Sequence, residues 1–161
     1  MIPQIKQILY TTDLSDNARH AFGYAASLSE RYNAKISVLH VIEELSHQAS
    51  IHLMSLLGEE RWNQIQKRNA QEVRATIKTR LEAFCDEMNA ELDQCSFMVT
   101  DTAVRLGEPV EQILMEAEKI DADLIVMGTH GHNALAGAML GSTARRVVRR
   151  SVKPVLTIRL P

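Results

Sequence analysis

Apolar positions along the chain alternate between two periods. Short runs of mostly β-branched or aliphatic residues recur at Ile5 to Tyr10, Lys35 to Ile42, Ser96 to Thr102, Leu124 to Met127 and Pro154 to Arg159. Their length and composition predict strands. Leu124-Ile125-Val126-Met127 is apolar at every position and is halted by Gly128, the pattern of a strand buried on both faces. Between the runs lie longer stretches with apolar residues three and four apart. Ala18, Ala21, Phe22, Ala25, Ala26 and Leu28 follow the capping residues Ser15-Asp16-Asn17, and their stripe fades at Arg31-Tyr32-Asn33. From Glu59 to Asn89, Val73, Ile77, Leu81, Phe84 and Met88 mark a helical stripe preceded only by Trp62 and Ile65, so the first half of that helix is expected to project beyond the core or to start after a break. Arg105-Leu106-Gly107-Glu108-Pro109 reads as a turn with Pro109 as the first helical residue, before Val110, Ile113, Leu114 and Ala117. Residues from Glu43 to Gly58 show no clean period. They are too many for a structureless connection, and part of them is expected to be helical, ordered against a partner, or folded over a ligand site.

Strands separated by helices at this spacing predict right-handed βαβ units and hence an α/β protein with an open parallel sheet and helices on both faces. In such sheets ligands bind beyond the C-terminal ends of the strands. Two groups of polar or glycine residues fall there: Thr11-Thr12-Asp13 after the first strand, and the segment after Met127.

That segment reads Gly128, Thr129, His130, Gly131, then nine residues, then Gly141, Ser142 and Thr143, entering a helix with Ala144, Val147 and Val148 on its apolar side. A helix start presents unpaired N–H groups and the positive end of the dipole, and glycines before it permit close backbone approach or positive φ. Phosphate suits that junction. The Ser142 hydroxyl can cap the helix or donate to a phosphate oxygen, with Thr143 a second candidate. The spacing is neither a Walker loop, since no lysine follows the last glycine, nor the dinucleotide fingerprint. Each glycine alone could be a turn glycine; His130 and His132 could touch phosphate or simply face solvent. Asp13 could accept from a ligand or cap the following helix.

Gly128, Gly131, Gly141 and Ser142 match the G-x2-G-x9-G-[S/T] signature of the ATP-binding branch of the universal stress protein family, and the chain resembles that family over essentially its whole length. The resemblance implies a Rossmann-like fold of the adenine nucleotide alpha hydrolase type with strand order 3-2-1-4-5, so that strands 1 and 4 flank the crevice. It implies ATP as ligand, with magnesium left open. Thr12 and Asp13 would meet the adenine or ribose, the Val41 backbone the adenine edge, and Met127 the pocket wall. Gly128, His130, Gly131, Gly141, Ser142 and Thr143 would surround the phosphates. It also implies a homodimer paired through the last strand, for which Val155, Leu156, Ile158 and Leu160 offer an apolar edge. The function expected is that of an adenine-nucleotide-binding stress-response protein, sensor or regulator, with an unknown downstream protein partner. Two alternatives stand beside it: an enzyme that slowly hydrolyses the nucleotide, and a nucleotide-free dimeric interaction module.

Composition narrows the field further. The chain has 161 residues, the size of one ordinary domain, and a single domain over 1–161 is expected. With 18 Lys+Arg against 20 Asp+Glu the net charge is −2, and only 4% of residues are aromatic. Neither a nucleic-acid surface nor a base-stacking platform is expected, and Arg145, Arg146, Arg149 and Arg150 read as a solvated face. No secretory signal or membrane-length apolar run stands out, and two cysteines, Cys85 and Cys95, suit small buried residues in a reducing cytoplasm. His47 and His52 lack a metal-site spacing. Met88, Met98 and Met115 read as core filler.

Overall fold

The computed structural model describes residues 1–44, 46–92, 98–129 and 140–159. Five strands form one parallel sheet: β1 (Gln7–Thr11), β2 (Lys35–Ile42), β3 (Met98–Leu106), β4 (Leu124–Gly128) and β5 (Val155–Ile158), in the order β3-β2-β1-β4-β5. The helices are α1 (Asp16–Tyr32), α2 (His47–Leu57), α3 (Glu59–Glu91), α4 (Pro109–Lys119) and α5 (Ser142–Arg150). The expected strand order and the helices on both faces are therefore present.

Side-chain alternation builds two cores. On one face Ile8, Tyr10, Ile36, Val38, Val104, Leu124 and Val126 pack against α1 and the C-terminal part of α3. On the other, Leu9, Leu39, Ala103, Ile125 and Met127 pack against Val110, Ile113 and Ala117 of α4 and Ala144 and Val147 of α5. β1 and β4 carry apolar side chains to both faces because both lie inside the sheet. Asp123 fixes their shared start. Its Oδ2 accepts from the Lys6 and Gln7 amides at 2.8 and 2.9 Å, and its own amide donates to the Gln7 carbonyl at 2.8 Å. Helix α1 begins at the Ser15 cap and ends at Asn33, whose left-handed φ of 51° suits asparagine.

Several elements differ from the sequence pattern. β3 runs through Arg105 and Leu106, read as a turn, and pairs with β2 up to Ile42 and Leu106, with a register shift between Ile36 and Ser37. Its charged Arg105 is accommodated because Glu116 of α4 lies against it, Nη2 to Oε2 2.9 Å. The aperiodic stretch contains the whole of α2, capped by Ser46; no residue of α2 is buried, so its apolar residues had no reason to fall on one stripe. α3 is continuous over 33 residues, roughly 50 Å. Only its C-terminal part sits on the sheet: Leu81, Phe84, Cys85 and Met88 are buried, whereas Val73 is 44% exposed. Met115 and Val148, read as inward-facing, are also exposed, because each lies beside the stripe that α4 and α5 bury, Val110, Ile113, Glu116 and Ala117 on one and Ala144 and Val147 on the other. Cys95 and the Met98 side chain lie outside the described residues.

Candidate functional site

The C-terminal ends of β2, β1 and β4 lie side by side. Thr11 is in register with Leu39 on one side and Met127 on the other, so Thr12-Asp13 leaves the sheet between His40 and Gly128. Here the strand order reverses, with β1 connecting towards β2 and β4 continuing away from it. The chain beyond β1 makes a tight turn. The Leu14 amide donates to Thr12 Oγ1 at 2.9 Å, and Asp13 Oδ1 accepts from the Ser15 amide at 3.0 Å and the Ser15 hydroxyl at 2.5 Å. Leu14 sits at φ 64°, a left-handed conformation that a leucine adopts only when its surroundings hold it there. Asp13 thus stabilises the turn before α1, while Ser15 Oγ caps the helix through the Ala18 amide. Beneath the turn the buried Tyr10 hydroxyl donates to the Ala18 carbonyl at 2.5 Å, and burial pushes its pKa far up.

On the other side of the crevice, the Thr129 amide donates to the Ile158 carbonyl and the Thr129 carbonyl accepts from the Gly141 amide, at 2.9 and 2.8 Å. The chain leaving β4 and the chain entering α5 are therefore tied at one point. The N-cap of α5 is Gly141, at φ −57° and ψ 159°. It has no side chain to place on the first amides, and the first turn of α5 contains no acidic residue. Ser46, Ser15 and Glu108 cap α2, α1 and α4 through their side chains, and the glycine-capped α3 begins Glu59-Glu60. Among the described residues the start of α5 has neither device.

Positive φ is not what the signature requires of the glycine at 141. The glycines with positive φ among the described residues are Gly58 and Gly107. Ser142 is the first helical residue rather than the cap, and its side chain is exposed; Thr143 is half-buried. Of the sequence candidates, Thr12, Asp13, Gly128, Gly141, Ser142 and Thr143 gather at the crevice. Val41 lies at the end of β2 and packs on the α4/α5 core. Met127 is 5% exposed, and its side chain belongs to that same core. His130 and Gly131 lie outside the described residues.

Pattern reading missed three contributors. Thr129 ties the loop ends, but as a bare threonine between glycines it carries no signal. His40 Nδ1 lies 2.8 Å from the Thr12 carbonyl, a contact set by parallel register that no local spacing reveals. Glu108 both accepts the Glu111 amide at 2.9 Å and meets Arg146 Nη1 at 2.8 Å, joining α4 to α5. Among the described residues no group of three or more His, Cys, Asp or Glu is arranged for a metal ion, and no helix is long and apolar enough to cross a membrane.

A strand order that reverses at β1, with a polar turn after β1 and a glycine-capped helix start after β4, defines a Rossmann-like α/β protein. The model of the universal stress protein family matches residues 4–159, and the chain belongs to that family. Universal stress protein MJ0577 of Methanocaldococcus jannaschii is 30% identical over 154 residues, covering 96% of this chain and 94% of its own. The solved structure of MJ0577 superposes with a TM-score of 0.70 at 28% identity, over 99% of both chains. A universal stress protein in complex with cAMP (TM-score 0.66, 22% identity, 98% of both chains) shares the fold. So does one from Archaeoglobus fulgidus in complex with dAMP (0.51, 19%, 98% of both).

Proposed function

We propose that this protein binds an adenine nucleotide, ATP in the first place, at the crevice between the ends of β1 and β4, and acts in the cytoplasm as a stress-response sensor or regulator. The observation that carries this reading is the start of α5. A helix N-terminus with a side-chain-free cap and no acid in its first turn is held against the end of β4 by the Gly141–Thr129 hydrogen bond, where a phosphate chain would lie. Groups available at both ends of the crevice support this reading. Phosphates would take the amides of α5 and the hydroxyls of Ser142 and Thr143, and the base and ribose would reach Thr12, Asp13 and the backbone of Val41. Met127 would contribute its backbone, since its side chain serves the core. His130 and Gly131 complete the phosphate loop on the strength of the sequence signature alone. The two relatives named in complex with cAMP and dAMP carry an adenine and a phosphate in common, which supports the class of ligand.

The protomer is a single unit that pairs with a second copy through β5, the outer strand of the sheet beyond β4. One experiment tests the nucleotide reading. Small molecules released from freshly purified, heat-denatured protein are identified by mass spectrometry, and the emptied protein is titrated calorimetrically with ATP, with and without magnesium. Saturable binding that Gly131→Val abolishes in a folded protein is expected. A flat titration would transfer weight to a nucleotide-free interaction module, and steady multi-turnover phosphate release would make the protein an enzyme.

A further inference from the structure

We infer that His40 is a positioning residue of the nucleotide site, holding the Thr12–Ser15 turn that carries Asp13; this rests on the reading of Asp13 as a ligand contact. A carbonyl oxygen only accepts, so the 2.8 Å contact requires Nδ1 of His40 to carry the proton and donate to the Thr12 carbonyl. With the Thr12 amide donating to the Leu39 carbonyl at 2.9 Å, both polar groups of the Thr12 backbone are held by consecutive residues of β2. The Thr12 side chain then accepts the Leu14 amide. The Thr12 amide keeps the last ladder bond of β1, which ends at Thr11, and the imidazole takes up the carbonyl just beyond it.

The turn needs that support. Among the described residues the non-glycine residues with positive φ are Leu14, Asn33 and Asp121. Asn33 and Asp121 follow the ends of α1 and α4, and are residue types whose short polar side chains visit this region readily. Leu14 has no such excuse, and a conformation of this kind persists only where the structure around it over-determines it. Releasing the Thr12 carbonyl lets Leu14 relax and moves the Asp13 carboxylate, while the sheet and the start of α5 stay in place. His40 therefore acts on the nucleoside half of the ligand without touching it.

The test compares His40→Leu, which removes the donor at similar volume, with His40→Asn, whose side-chain amide can place a donor near the Nδ1 position. ATP affinity is measured well below the melting temperature of each variant, and amide hydrogen exchange of Leu14 and Ser15 is followed in the nucleotide-free proteins. His40→Leu is expected to weaken ATP binding about 2- to 12-fold, the span of one net hydrogen bond. It should also speed exchange at Leu14 and Ser15, His40→Asn should recover most of both effects, and in an Asp13→Ala background the loss of affinity should shrink. Wild-type affinity in His40→Leu, or an undiminished effect without Asp13, would overturn the inference and leave the nucleotide reading intact. Failure of the wild-type protein itself to bind any adenine nucleotide would overturn that reading, and the role of His40 with it.

Discussion

The carboxylates of this protein show how one residue type serves opposite ends of the polarity scale. Glu116 is 4% exposed on α4, yet it meets Arg105 of β3 at 2.9 Å and Lys119 at 3.4 Å. Removing one partner of such a pair leaves a buried charge uncompensated, which is costlier than removing both. Arg105→Met should therefore destabilise the protein by about 3 kcal/mol, tempered because Lys119 remains and Arg105 is partly exposed, and Arg105→Met/Glu116→Leu should recover much of the loss in urea denaturation. Glu108 lies in a wetter place. Burial raises its pKa, but the Glu111 and Val110 amides and the Arg146 guanidinium outweigh that and hold it below the usual carboxylate value. A depressed folded-state pKa stabilises above the unfolded value and is lost as pH falls through the folded one. Glu108→Ala should accordingly lower Tm by a few degrees at pH 7, the effect of about 1 kcal/mol from one helix cap, and the gap from wild type should close as the pH is lowered below about 4. His40 and Thr129 act through partners far away in sequence, as Glu108 does through Arg146, so these contacts were not legible there. Asp13, Gly141 and Ser142 stand at the ends of recognisable patterns, and their places at a strand end and a helix start were.

At the scale of elements, legibility follows burial. The strands and α1, α4 and α5 were readable because a core on one side or both writes its period into the sequence. α2 was not, since nothing buried constrains which positions are apolar, and Ile51, Leu56 and Leu57 are all exposed. β3 was read too short because Arg105 looked like a turn residue until its carboxylate partner on α4 was seen. α3 contains both regimes. Its end joins Tyr10, Phe22 and Phe84 into an aromatic cluster with ring centroids 5.1, 6.4 and 5.7 Å apart, and Arg19 of α1 covers Phe84 while reaching Glu87. Phe84→Ala should cost about 3–5 kcal/mol in chemical denaturation, whereas Val73→Ala, about three turns earlier on the same helix, should change stability by no more than about 0.5 kcal/mol. Similar losses at both positions would mean that the N-terminal part of α3 is covered in solution.

The whole molecule is a sheet with two unequal borders. β3 closes one side next to α3, and β5, four residues long, closes the other with Val155, Leu156 and Thr157 half-buried. A second copy pairing along β5 would finish the hydrogen bonding of that border. Sedimentation equilibrium should then report about twice the 18.1 kDa of one chain, and a charge placed on the strand, Val155→Lys, should shift the protein towards the monomer. A monomer at micromolar concentration in the wild type would rule the pairing out.

The Gly141–Thr129 hydrogen bond also separates two jobs that one stretch of chain performs. Because the chain departs from β4 and re-enters at α5 through the same contact, the frame does not depend on what is strung between them, and the entropy of closing a loop changes only slowly with its length. The chain between these ends can then be lengthened or shortened at little entropic cost to the contact that joins them.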